Sequence, residues 1–304
     1  MIEANLMMLD QSNSCSKSLR IAVAGATGRV GLQLINKLAA DPVSVVALTR
    51  QKSPASFPEG IASVAVNFDQ PVTIVEALAG VDKLFIAHGT SPQQVTNEIA
   101  LIDAAVETGV RHIVKLSVMG PATLINPFEW HSRIEAHLGQ QPLASTVLRP
   151  TTFMDVLKRA GKSVAADNWA GAAGNGYVNL IDTRDVADAA RIALLEKVAD
   201  GSQRAYHLTG PQNWTMPQIA EVLSRLLGHT VAYTHRSAIE QRHALFAEGL
   251  SPFVAELLVG LDDIFHNSVL TERTFTVQDL TGTPPRLLSD WLVENLEAFK
   301  KKCN

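Results

Sequence analysis

The stretch Leu19-Arg20-Ile21-Ala22-Val23-Ala24-Gly25-Ala26-Thr27-Gly28-Arg29-Val30-Gly31 decides the fold. Residues 19–24 form a short, nearly continuous apolar run, the pattern of a strand buried on both faces. A helix follows at once over 29–40, where Val30, Leu34, Ile35 and Leu38 share one face. Between strand and helix the glycines stand as Gly-x-x-Gly-x-x-Gly, the middle one a place later than in the commoner Gly-x-Gly-x-x-Gly. One glycine permits the sharp turn, one lets backbone approach a pyrophosphate, and one lets helix and strand pack closely. The helix N-terminus offers free N–H groups and a positive dipole end to phosphate. Strand, glycine loop and helix in this order predict a dinucleotide-binding unit.

The same alternation continues outward. Strands are expected over 43–49, 61–66, 83–87, 112–116 and 145–148, with helices over 72–78, 92–108 and 129–138. Apolar strands separated by helices predict an α/β fold, a doubly wound Rossmann parallel sheet. Residues 178–181 read as extended and 183–195 as a helix with Asp182 as its N-cap. Residues 161–176, rich in Gly and Ala with little periodicity, are expected to be a mobile loop near the site. Past residue 200 the pattern turns mostly helical after one strand at 205–208. Helix starts are marked by Thr215 with Gln218, by Ser237 with Glu240, and by Ser251 before Pro252. A last amphipathic helix carries Leu288, Trp291, Leu292, Leu296 and Phe299. The expected division is a flexible leader (1–18), a Rossmann domain (19–200) and a smaller, mostly helical C-terminal substrate lobe (201–304), some of whose strands return to the core.

The 304 residues are 46% hydrophobic and 18% charged, the composition of a globule with a sizeable core. A net charge of −4 supplies no general attraction to nucleic acid or an anionic membrane. No run of 18 apolar residues suggests a membrane span. The two cysteines, Cys15 and Cys303, fit a reducing cytoplasm, and no metal-ligand spacing stands out. A small-molecule partner and a monomer or homodimer are expected.

The second strand ends at Thr49-Arg50, where an NAD-selective enzyme places a carboxylate for the ribose 2′-OH. Arg50 and Lys52 stand there instead. They suit a 2′-phosphate, so NADP(H) is expected over NAD(H).

Further motifs follow in order: Ile113-Val114-Lys115-Leu116-Ser117, His131-Ser132-Arg133-Ile134-Glu135, Thr146-Val147-Leu148-Arg149-Pro150 with Phe153-Met154, Ile181-Asp182-Thr183-Arg184-Asp185-Val186-Ala187, and Leu208-Thr209-Gly210-Pro211. With the glycine loop they resemble the NmrA-like family of atypical short-chain dehydrogenases over roughly 19–299. The resemblance implies cofactor contacts from Gly25, Thr27, Gly28, Arg29, Val30 and Gly31. It places Asn67 and Phe68 by the adenine, and Ala87, His88 and Gly89 beside the ribose near the nicotinamide. Ser117, Val118 and His131 would stand close to the nicotinamide ring.

Ordinary short-chain dehydrogenases use Tyr-x-x-x-Lys to move the carbonyl proton. None of Tyr177, Tyr206 and Tyr233 has Lys four residues later. Aligned on Glu135, His131 takes the Lys position and Pro127 the Tyr position. Reduction of an unactivated ketone needs a placed acid; quinones, iminium ions and cationic dyes need one less. The expected function is therefore an NADPH-dependent reductase of a quinone-like or other electron-poor acceptor. His131 would orient the cofactor or relay a proton, and Ser117 would hold the nicotinamide amide or the acceptor oxygen. Phe153, Met154, Trp169 and Tyr177 are expected to line an apolar acceptor pocket. Two alternatives share the cofactor: a non-catalytic redox sensor with a regulatory protein partner, and an imine or enone reductase of secondary metabolism.

Overall fold

A computed structural model of the chain describes residues 18–50, 57–120 and 127–301. Lys52 and residues 1–17 of the expected leader lie outside the described residues. β1 (Arg20–Ala24) runs through the glycine loop into α1 (Arg29–Leu38). There follow β2 (Ser44–Thr49), β3 (Ala62–Ala65), α2 (Val72–Leu78), β4 (Lys83–Ile86), α3 (Gln94–Glu107), β5 (His112–Leu116), α4 (Phe128–Leu138) and β6 (Ala144–Pro150). The chain then forms β7 (Thr152–Phe153), a 3-10 segment (Met154–Ala160), α5 (Gly161–Ala165), β8 (Ala170–Gly171), β9 (Val178–Ile181), α6 (Thr183–Leu195) and β10 (Gln203–Leu208). Last come β11 (Asn213–Trp214), α7 (Met216–Leu227), β12 (Thr234–His235), α8 (Ala238–Ala247), α9 (Pro252–His266), α10 (Thr276–Thr281), α11 (Leu288–Glu294) and a 3-10 turn (Leu296–Phe299).

Seven strands build one sheet in the order β10-β6-β5-β4-β1-β2-β3, all parallel. The central strands β1, β2 and β4 are largely apolar because both of their faces are covered. Ile21, Val23, Val45, Ala47, Phe85 and Val114 pack on α1 and α6. Their neighbours Ala22, Ala24, Val46, Leu48, Leu84 and Ile86 face the apolar sides of α2, α3 and α4. Successive side chains leave a strand on opposite faces, so each strand serves both layers. The order of connection reverses between β1 and β4, and the strand ends part there into a crevice.

The lobe has its own core of Met154, Trp169, Ile219, Leu223, Phe265, Trp291 and Phe299. Its helices start where side chains cap them. Thr215 with Gln218 and Ser237 with Glu240 form capping boxes, and Ser251 caps the helix that Pro252 opens. Asp182 caps α6 by accepting from the Arg184 N–H at 2.8 Å. Among the described residues no helix is long and apolar enough to cross a membrane.

The stretch 161–176 departs from the expected mobile loop. It contains α5 and β8, and Val164 and Ala173 are buried. Its glycines serve close approach: a Cβ on Gly161 would lie 2.1 Å from the Ala298 carbonyl oxygen, and one on Gly176 1.9 Å from that of Phe265. Low periodicity here reflects backbone packed against backbone, with no side-chain face to repeat.

Candidate dinucleotide and acceptor site

A cleft of about 310 Å³ occupies the crevice between β1 and β4. Gly25, Thr27 and Gly28 line it from the glycine loop, Thr49 and Arg50 from the end of β2, Phe68 after β3, and Ala87, His88 and Gly89 after β4. Gly25 has φ +79°, and the Gly28 N–H donates to its carbonyl at 2.9 Å, closing the turn. No side chain caps α1, so no side chain takes up its first-turn N–H groups. Val30 and Gly31 are buried, which leaves only their backbone for a ligand, whereas Thr27 and Arg29 are exposed.

Two of the sequence-designated residues have defined local tasks. Asn67 does not line the cleft; its side-chain oxygen accepts from the Asp69 N–H at 3.0 Å and shapes the turn after β3. His88 spans from the Gly89 carbonyl (Nδ1, 2.6 Å) to the Asn97 amide (Nε2, 3.0 Å) and stands edge-on to Phe68. Both of its ring nitrogens are thereby engaged within the cleft wall.

Beyond the cleft, at the end of β5, lies a chain of polar groups that residue spacing only partly revealed. Ser117 is buried and donates its hydroxyl to Glu135. Glu135 in turn is held by Arg149, whose Nη2 stands at 2.5 Å and Nε at 3.2 Å from Oε2. Ser117 has thus spent its only proton on a carboxylate, and toward a ligand it can only accept. Beside it sits an ion pair with no exposure at either side chain, Lys115 to Glu98 at 2.8 Å. The Lys115 ammonium also reaches the Leu116 carbonyl and, at 3.2 Å, His131 Nδ1. With Nδ1 accepting, the neutral imidazole carries its proton on Nε2; the Gln94 side-chain nitrogen 3.2 Å away is itself a donor, committed to Glu98, and accepts nothing from it. Burial first, and then the Lys115 charge, pushes His131 down to about 2. It is neutral at physiological pH and holds no imidazolium proton to give.

Glu98, Gln94 and Arg149 were not singled out from sequence. The available signal was Lys115 inside a strand expected to be buried on both faces, since a buried charge demands a partner. The i, i+4 pair Gln94 and Glu98 on α3 is that partner's element, bonded to each other at 3.0 Å.

His112 is a second buried neutral histidine. Its Nε2 meets Thr146 Oγ1 at 3.0 Å, and burial followed by Lys83 and Arg204 lowers it to about 3. Both histidines ionise near 6.5 once unfolded. Below that pH the unfolded chain binds protons the folded one refuses, so their contribution is complete above 6.5 and declines as pH falls toward 3 and 2. Urea melts from pH 7 to 5 should show stability falling by up to about 1.4 kcal/mol per pH unit for each histidine. His112→Gln should flatten that slope; an unchanged slope would mean that this ring is already protonated in the fold.

The four residues expected to line one acceptor pocket are separated. Met154 has no exposure and belongs to the lobe core, and Phe153 packs on the α1–α6 side of the sheet. Trp169 meets the Tyr233 ring edge-on at 5.2 Å and lines a cavity between the 3-10 segment and α9. Tyr177 is exposed and lines a different depression, with His266 and Ser268.

With this geometry established, comparison with known proteins adds three findings. A family model described as NAD(P)H-binding matches residues 25–197. The chain is 31% identical to the (4-alkanoyl-5-oxo-2,5-dihydrofuran-3-yl)methyl phosphate reductase of Streptomyces griseus and 28% identical to the NAD(P)H azoreductase of Xenophilus azovorans. Each match covers 92% of this chain and 99% of the relative. The NADPH-dependent quinone oxidoreductase of Escherichia coli, solved with NADPH, superposes with a TM-score of 0.81 at 26% identity, over 91% of this chain and 99% of that one.

Proposed function

Because the chain belongs to the NAD(P)H-binding family, we propose that it is a member of the NmrA-like group it resembles and an NADPH-dependent reductase of quinone-like or other electron-poor acceptors. The observation that carries this reading is the absence of a side-chain acid among the sequence-designated residues at the end of β5. Ser117 donates to Glu135, and His131 is neutral. Such a site suits an acceptor whose reduced form tolerates charge or takes its proton from water. The reductase, azoreductase and quinone oxidoreductase relatives support the same class of chemistry.

The residues present fit the dinucleotide: an uncapped helix behind a glycine turn, and a cation where the adenosine ribose would lie. Bound NADPH would supply the hydride. The amides of 28–31 would hold its diphosphate, Arg50 its 2′-phosphate, and Ser117 would accept from the carboxamide N–H. A quinone that gains the hydride and one proton from water leaves as the hydroquinone.

Arg50→Asp tests the cofactor half. The ratio of NADPH to NADH affinity should fall at least about tenfold, since one charge-assisted hydrogen bond is worth about 1.5–3 kcal/mol and the aspartate also repels the phosphate. An unchanged ratio removes Arg50 from the proposal. NADPH oxidation with a panel of quinones, imines and dyes tests the enzyme half. Tight cofactor binding with no turnover on any of them would favour a redox sensor instead.

A further inference from the structure

The lobe encloses a second cavity, of about 290 Å³, between the segment 156–173 and helices α8 and α9. Trp169 and Phe265 give it an aromatic wall. Arg159 and Arg236 line it as cations with unused donors. Arg236 donates from Nη2 to the Ala170 carbonyl at 2.9 Å, while its Nε is buried with no partner. Arg159 is exposed and hydrogen-bonds to no described residue.

The cavity also holds an orphaned acceptor. Gln241 gives its amide N–H to Asp262 at 2.8 Å, which leaves its Oε1 buried and unpaired. Asp262 takes a second N–H, from Ala172 at 3.3 Å; burial pushes its carboxyl up, against those two hydrogen bonds and the charges of Arg159 and Arg236, which pull it down. Neither arginine hydrogen-bonds to it among the described residues. Glu248 is the other carboxylate within electrostatic reach of Arg159. Arg29, on the first turn of α1, is a cation also within electrostatic reach of Arg159.

We propose that this cavity binds a planar aromatic or quinonoid molecule through an oxyanion substituent. The oxyanion bonds Arg159 and Arg236, the ring lies against Trp169 and Phe265, and a neighbouring O–H or N–H donates to Gln241 Oε1. Two facts limit the ligand. A cavity of this size takes one or two fused rings, and two guanidinium groups with free N–H donors reward an oxygen anion over a neutral carbonyl. That the occupant is also the hydride acceptor rests on the reductase reading; that it binds does not.

Two measurements separate these claims. The first is calorimetric titration of the NADP⁺-loaded protein with 1-hydroxy-2-naphthoate, which carries a carboxylate and an adjacent hydroxyl. Binding should weaken at least tenfold in Arg159→Gln and in Arg236→Gln and return in part in Arg159→Lys. Arg159 is exposed, so its replacement leaves the fold standing. The second is the ratio of kcat/KM for a sulfonated naphthoquinone to that for 1,4-naphthoquinone. It should exceed ten and collapse toward one in both glutamine variants. Naphthoate binding lost in the variants, with no quinone turnover by the unaltered protein, would keep the binding site and sink the reductase reading. Quinone turnover with a ratio near one, and naphthoate binding that is absent or indifferent to both arginines, would overturn the oxyanion site and leave the reductase reading standing.

Discussion

Gly25→Ala should abolish NADPH binding, raising Kd at least a hundredfold, and should lower the melting temperature. Gly25 sits at φ +79°, where a side chain costs about 1–2 kcal/mol on its own. The larger effect is positional, because an added Cβ would stand 1.9 Å from the carbonyl oxygen of Ala87. That oxygen belongs to backbone tied to β1, the Ala87 N–H donating to the Ala24 carbonyl at 3.2 Å. Nothing flexible can give way, so the ends of β1 and β4 must separate, and these are the two walls of the cleft. Gly60→Ala is the control. Gly60 also has positive φ, at +84°, but nothing lies within 4 Å of its would-be Cβ. It should lose about 1 kcal/mol of stability and no affinity. Fluorescence titration with NADPH decides the matter: an unchanged Kd in Gly25→Ala would mean that the phosphates bind elsewhere.

Lys115→Met should be the most destabilising single replacement of a charge in the chain, at about 3–5 kcal/mol. Its partner Glu98 is wholly buried and would be left without the ammonium that balances it. Glu98→Leu should cost a similar amount by stranding the lysine. The double variant should recover much of the loss, because two apolar side chains in a dry site need no compensation. Urea midpoints for the four proteins measure the coupling. If the single effects simply add, the pair is not an energetic unit. Lys115→Met also removes the cation beside His131 Nδ1, so the ring nitrogen shift of His131 should titrate at higher pH than in the unaltered protein.

What could be read without coordinates was the local pattern. The β-strand and helix alternation, the helix α2 at Val72–Leu78, the strand β5 at His112–Leu116 and both capping boxes follow from periodicity and short-range hydrogen-bond chemistry. These depend on neighbours a few residues apart. The glycine loop is of the same kind, a turn whose requirements are written in adjacent residues. What was misread involved distant neighbours. The glycines of 161–176 suggested mobility because their contacts, Ala298 and Phe265, lie about a hundred residues onward. Met154 looked like a pocket residue because an apolar side chain reads the same whether it faces a ligand or a core.

The sequence by itself determined the doubly wound sheet, the glycine turn at 25–31 and the presence of a cation at Arg50, since each is an ordered run of residues whose physics is local. Only the tertiary structure decided what the groups at the strand ends can do. A hydroxyl or an imidazole has a proton to give or an open lone pair according to its partners, and those come from other elements. Glu135 on α4 takes the Ser117 proton, and Lys115 on β5 takes the His131 lone pair. Likewise Arg159 and Arg236, 77 positions apart in the chain (236 − 159), become one cavity only when α8 and α9 close over the segment 156–173.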